Sequence, residues 1–145
     1  MNAIHVKKLR EHAILPTYGT ACSAGADLYA CLDAPVTLAP GCSAPIPTGI
    51  AMEVPPGCAG LVYGRSGLAC KRGLAPANKV GVIDSDYRGE IIVFLHNHGA
   101  VPQTISSGER IAQMVITPVL TPPYLEVEEL TDTVRGTGGF GSTGK

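Results

Sequence analysis

Glycine (18) and proline (12) punctuate this 145-residue chain almost from end to end, and their spacing leaves no room for long helices. Between the breaks lie short runs with strand character. Ile50 to Val54 alternates apolar and polar residues and stops at Pro55-Pro56-Gly57, which reads as a strand and a turn. Gly60 to Tyr63 reads as another short strand. Glu90 to Leu95 is β-rich and reads as buried on both faces. Arg110 to Thr117 is rich in β-branched residues and ends at Pro118, again favouring a strand, and Leu125 and Val127 alternate with glutamates in a last extended segment. Many short strands at close spacing predict an all-β sandwich or barrel.

Hydrophobic residues make up 45% of the chain and charged residues 16%, enough to build one domain and incompatible with a disordered polyelectrolyte. A net charge of -1 carries no electrostatic footprint for nucleic acid or for an anionic membrane surface. No apolar run has the length of a membrane span, and the first sixteen residues hold no apolar signal core. The five cysteines at 22, 31, 42, 58 and 70 form no C-x-x-C pair, so neither a zinc site nor a disulfide framework is predicted. The expectation is a protein of a reducing, cytoplasmic compartment.

Four segments carry candidate chemistry. Arg65 to Asn78 is polar and glycine-broken, and reads as a long functional loop with at most a helical turn. Its opening, Gly64-Arg65-Ser66-Gly67, offers a guanidinium, a hydroxyl and free backbone to an anion. Asn78 to Glu90 reads as a β-hairpin with Asp84 and Asp86 near its mouth, and Asp84, directly after an apolar run, is a candidate general base for water. Residues 135–145 have five glycines and only Phe140 as a large apolar group: a mobile tail by composition, or an arm able to wrap phosphate. Its fit to a Walker A pattern fails, because no strand leads in and no helix follows. His96 and His98 share a strand face but have no third ligand at useful spacing, so they read as structural or surface histidines.

Taken in order, A-G-A-D-L-Y-A at 24–30, G-R-S-G-L-A at 64–69, N-K-V-G-V-I-D-S-D-Y-R-G-E at 78–90, G-E-R-I-A-Q at 108–113 and R-G-T-G-G-F-G-S-T-G at 135–144 resemble the five motifs of the trimeric dUTPase family. The resemblance implies a distorted jelly-roll subunit over residues 1–134, with residues 135–145 as an arm closing over the active site of a neighbour in a homotrimer. It implies hydrolysis of dUTP to dUMP and pyrophosphate with Mg²⁺, limiting uracil in DNA and supplying dUMP for thymidylate synthesis. Asp84 would activate the water that attacks the α-phosphorus, and Asp27 would hold the Mg²⁺-triphosphate through a metal-bound water. Arg65, Ser66, Gly67 and Gln113 would contact the phosphates. Asn78, the Val82 and Ile83 backbone and Ile92 would read uracil, and Tyr87 would lie under the deoxyribose. Phe140 would stack on the base, with Arg135, Gly141 and Ser142 closing on the phosphates. A dCTP deaminase sharing the fold and a nucleotide-bound regulatory module are the competing readings. Ammonia release and binding without turnover, respectively, would distinguish them.

Overall fold

The computed structural model describes residues 3–139. Among these, twelve strands and one helix follow in order. They are β1 (Val6–Lys8), β2 (Thr17–Tyr18), β3 (Ala26–Tyr29), β4 (Val36–Leu38), β5 (Ser43–Pro47), β6 (Ile50–Met52) and β7 (Cys58–Tyr63), then α1 (Ser66–Arg72), β8 (Leu74–Pro76), β9 (Gly81–Ile83), β10 (Ile92–Asn97), β11 (Gln103–Ile105) and β12 (Arg110–Pro118). The all-β expectation holds: short strands in several small sheets make up the framework, with a single short helix. A five-stranded sheet runs β2-β3-β12-β7-β9, and β5-β10-β8 form a second sheet. The pairs β1-β6 and β4-β11 complete the framework, every ladder antiparallel.

The core gathers Leu28, Leu38, Ile46, Ile50, Leu74, Ile91, Leu95, Ile105 and Ile111, all fully enclosed. Two polar side chains share it and both are satisfied. Thr48 donates to the Ile91 carbonyl at 2.6 Å, and Asn97 donates to Leu38 and Val101 while accepting from Gly99. Such pairing removes the penalty of burying them.

Several local expectations are corrected. Residues 65–78 are not a loop: α1 takes two turns and β8 follows. Leu68 anchors the helix in the core, and Gly73 ends it at φ 66°, its N–H bonding back to Ala69 at 3.0 Å. The 78–90 segment is not a paired hairpin. β9 bonds to β7, whereas β10 bonds to β5 and β8, so the two strands leave the Asp84 turn for different sheets. β10 alternates rather than burying both faces, with Ile91, Val93 and Leu95 inside and Ile92 and Phe94 exposed. β6 is enclosed on both faces instead of alternating. No strand forms at 125–127. Residues 119–139 leave the sheets after β12 and expose Leu120, Tyr124, Leu125, Leu130 and Val134.

Candidate functional site

Asp27, on β3, stands directly opposite Gln113 on β12, which in turn stands opposite Tyr63 at the end of β7. Three motifs distant in sequence therefore meet on adjacent strands. A register irregularity between Arg110 and Ala112 interrupts the β3-β12 ladder just before Gln113. Bulges of this kind re-aim side chains, and here Arg110 reaches back to Asp27, its Nη1 3.3 Å from Oδ2. Arg65, two residues past β7, donates its Nε to Asp27 Oδ1 at 2.6 Å. Gln113 Nε2 donates to the Gly64 carbonyl at 2.8 Å, and Gly25 leaves the room this needs, since a Cβ there would lie 2.6 Å from Gln113 Oε1.

Asp27, Arg65, Ser66, Gly67, Arg110 and Gln113 line a cup of about 370 Å³. One carboxylate set between two guanidinium groups leaves net positive charge in it, suited to an anion. Gly67 is informative. It sits in the first turn of α1 with nothing near its absent side chain, so packing does not demand glycine, although glycine weakens a helix. The opening it leaves faces the cup. Arg110 is a site residue that the sequence reading missed. It lies in the G-E-R-I-A-Q segment, but its partnership with Asp27 joins β12 to β3 and is not visible along the chain.

A second notch, of about 330 Å³, is lined by Val82, Ile83, Asp84, Tyr87, Ile92, Glu90 and Phe94. Five of these were expected together, while Glu90 and Phe94 were not. Phe94 joins because β10 alternates and puts it beside Ile92 on the exposed face. The Asp84 turn is closed by the Tyr87 N–H on the Asp84 carbonyl at 3.2 Å and braced by Arg88 on the Ser85 carbonyl at 2.8 Å. Glu90 ties its base to the body, accepting the Gly49 N–H at 2.8 Å. Asn78 stays outside the notch, exposed in the turn before β9. Arg135 folds onto its own turn, donating to the Gly138 carbonyl at 2.8 Å, and reaches neither cavity. Phe140, Gly141 and Ser142 lie outside the described residues.

Cup and notch share no lining residue. The antiparallel pairing of β7 and β9 explains the separation. Ile83 pairs with Gly60, so the chain runs on to Asp84 toward the start of β7, whereas Gly64 and Arg65 run past its end. A further groove of about 370 Å³, lined by Ile4, Val6, Leu15, Tyr18, Met52 and Met114 among others, offers no charged group and stands apart from both. His96 accepts or donates a hydrogen bond with Ser43 at 2.9 Å, its ring against that of His98. Partial desolvation, with help from His96 and Lys79, pulls the His98 imidazole below its usual range. Among the described residues no three His, Cys, Asp or Glu side chains group as metal ligands, and no helix is long and apolar enough to cross a membrane.

The dUTPase family model matches residues 11–144 of the chain. The chain belongs to the dUTPase family. The deoxyuridine 5'-triphosphate nucleotidohydrolase of Desulfitobacterium hafniense is 50% identical over 149 residues, covering 99% of each protein. Among solved structures, the Staphylococcus bacteriophage 80alpha dUTPase with dUpNHpp superposes at a TM-score of 0.90, with 31% identity over the whole of both chains. A variant dUTPase from phage phi11 of S. aureus, described with a coordinated structural Mg(II) ion, gives 0.81 at 27% identity over 90% of this chain and 100% of that one. Three of the segments that carry the resemblance, A-G-A-D-L-Y-A, G-R-S-G-L-A and G-E-R-I-A-Q, meet at the cup of this dUTPase-family enzyme.

Proposed function

We propose that this enzyme hydrolyses dUTP to dUMP and pyrophosphate, taking the triphosphate in the Asp27–Arg65–Gln113 cup and the deoxyuridine in the Asp84–Tyr87 notch of a second copy. The observation that carries the reading is the division itself: one chain has an anion cup without a base and an acid-mouthed apolar notch without cations. A nucleoside triphosphate needs both. Asp84, exposed at the mouth of the notch, takes a proton from the attacking water, and the cationic side chains of the cup gather the charge that builds on the phosphates. The Val82 and Ile83 backbone reads the uracil edge with help from Asn78, Ile92 fills the side of the base and Tyr87 floors the sugar. A backbone edge that pairs with uracil leaves cytosine with unmatched polar groups, which is a strong basis for rejection. Arg135, Phe140, Gly141 and Ser142 belong to an arm, residues 135–145, that closes over the bound nucleotide.

The donor set of the cup fits Mg²⁺ held through water. Asp27 already accepts from two arginines, so it has spare lone pairs for a bound water but not the freedom of a direct ligand, and Mg²⁺ keeps most of its waters when it binds phosphates. The ion, when bound with the nucleotide, would draw charge from the phosphate oxygens. A homotrimer supplies the second copy. Exposed Leu120, Tyr124, Leu125, Leu130 and Val134 support chain-to-chain docking, as does acid-rich 126–132 against a β1 that carries Lys7 and Lys8 and pairs among the described residues only with β6. Such an enzyme keeps uracil out of DNA and supplies dUMP for thymidylate synthesis in the cytoplasm. Pyrophosphate release from dUTP, measured with Mg²⁺ beside dCTP, dTTP and UTP, tests the reading. Turnover of dUTP alone is expected, and tight binding with no turnover would overturn it in favour of a regulatory module.

A further inference from the structure

Gly89 is a glycine whose backbone does not ask for one. It is absent from the residues with positive φ, so an L side chain suits its conformation. What forbids a side chain is Tyr87. A Cβ on Gly89 would lie 2.6 Å from Tyr87 Cζ and 3.0 Å from Cε2, and closer still to the hydroxyl. The phenol lies on the bare Gly89 backbone and donates to the Glu90 carbonyl at 3.0 Å, while the Tyr87 N–H closes the turn on Asp84. The ring is thereby fixed from its amide to its hydroxyl, although 43% of the residue is exposed.

We infer that Gly89 is a positioning residue for sugar selection: its missing side chain is the seat that holds the Tyr87 ring at the height where it accepts a deoxyribose and leaves no space for a 2′-hydroxyl. The inference rests on the proposed reading of Tyr87 as the sugar floor. An added methyl must lift the ring by several tenths of an ångström or more. The lifted ring crowds the deoxyribose that it had accepted, whereas the ribonucleotide was already excluded, so discrimination falls chiefly through dUTP.

The test compares kcat and KM for dUTP and UTP in the intact enzyme and in Gly89→Ala, Tyr87→Ala and the double variant. Gly89→Ala is expected to raise the dUTP KM and lower the dUTP-to-UTP ratio of kcat/KM by about tenfold, because small displacements of a positioned group are costly. In the Tyr87→Ala background the same methyl meets no ring, so it should change neither quantity; this non-additivity is what a purely structural glycine would not give. If Gly89→Ala melts early, the double variant should melt normally, and persistent instability there would overturn the proposal. An unchanged ratio in Gly89→Ala beside an altered one in Tyr87→Ala sinks the role of Gly89 alone. An unchanged ratio in Tyr87→Ala sinks the sugar reading and this inference with it.

Discussion

Asp27 exposes only 13% of its side chain and faces two guanidinium groups, so it holds Arg65 and Arg110 in place. Asp27→Ala would leave two arginines side by side without a counter-charge. The expected cost is about 1–3 kcal/mol of stability, read by urea unfolding, with a raised KM for dUTP. The Asp84 carboxylate holds no such cation among the described residues, and its proposed role is that of the base. Asp84→Asn is expected to lower kcat by about 10²–10⁴-fold while a non-hydrolysable dUTP analogue binds with unchanged affinity, measured by calorimetry. Lost binding with retained turnover would remove it as the base. Cys31 makes the opposite case, a reactive group disabled by its place. Burial pushes its thiol up, so near neutral pH it should resist alkylation until the protein unfolds, while exposed Cys22 and Cys70 react first, as mass spectrometry would show. Asp27, Asp84 and Arg65 were legible in the sequence because their chemistry travels with short motifs. Arg110, Glu90 and Phe94 were not, since a cross-strand ion pair, a clamp on Gly49 and a strand's pleat brought them to the cavities.

Elements were read best where they lie in the middle of a sheet. β12 spans nine residues, is bonded on both sides by β3 and β7, and encloses Ile111, Ala112 and Met114; its β-branched run and terminal proline announced it. The helix was read as a single turn at most because Gly67 lies in its first turn, Gly73 ends it and its composition is polar, so the anchoring of Leu68 in the core, invisible in a seven-residue window, decides the outcome. Gly73 deserves a glycine twice over. Its φ of 66° is left-handed, and a Cβ would lie 2.8 Å from the Gly99 amide nitrogen. Gly73→Ala should therefore cost more than the roughly 1 kcal/mol of a strained helix cap. Because α1 carries Ser66 and Gly67, thermal melting and dUTP KM should worsen together. A lower melting temperature with an unchanged KM would show the cup to be independent of the helix's end.

At the scale of the molecule, the decisive feature is that Arg65 follows β7 and Asp84 follows its antiparallel neighbour β9, so the two lie toward opposite ends of that pair and line separate cavities. The motif order along the chain conceals this, because sequence proximity says nothing about which half-site a strand's direction will serve. If a working site joins the cup of one copy to the notch of another, inactive variants should rescue each other. Chains carrying Arg65→Ala keep a sound notch, and chains carrying Asp84→Asn keep a sound cup. Unfolded together at equal amounts and refolded, they would assort at random in a closed ring, and about a quarter of the sites would unite two intact halves. Activity should then rise from near zero for either variant alone to about a quarter of the parent's, measured as pyrophosphate released per chain. Were both halves of each site drawn from one chain, every site in the mixture would carry a lesion and no activity would return. The outcome depends only on which chains meet at a site. It holds whether the arm from residue 135 onward comes from either of those two copies or from a third, since both variants leave it intact.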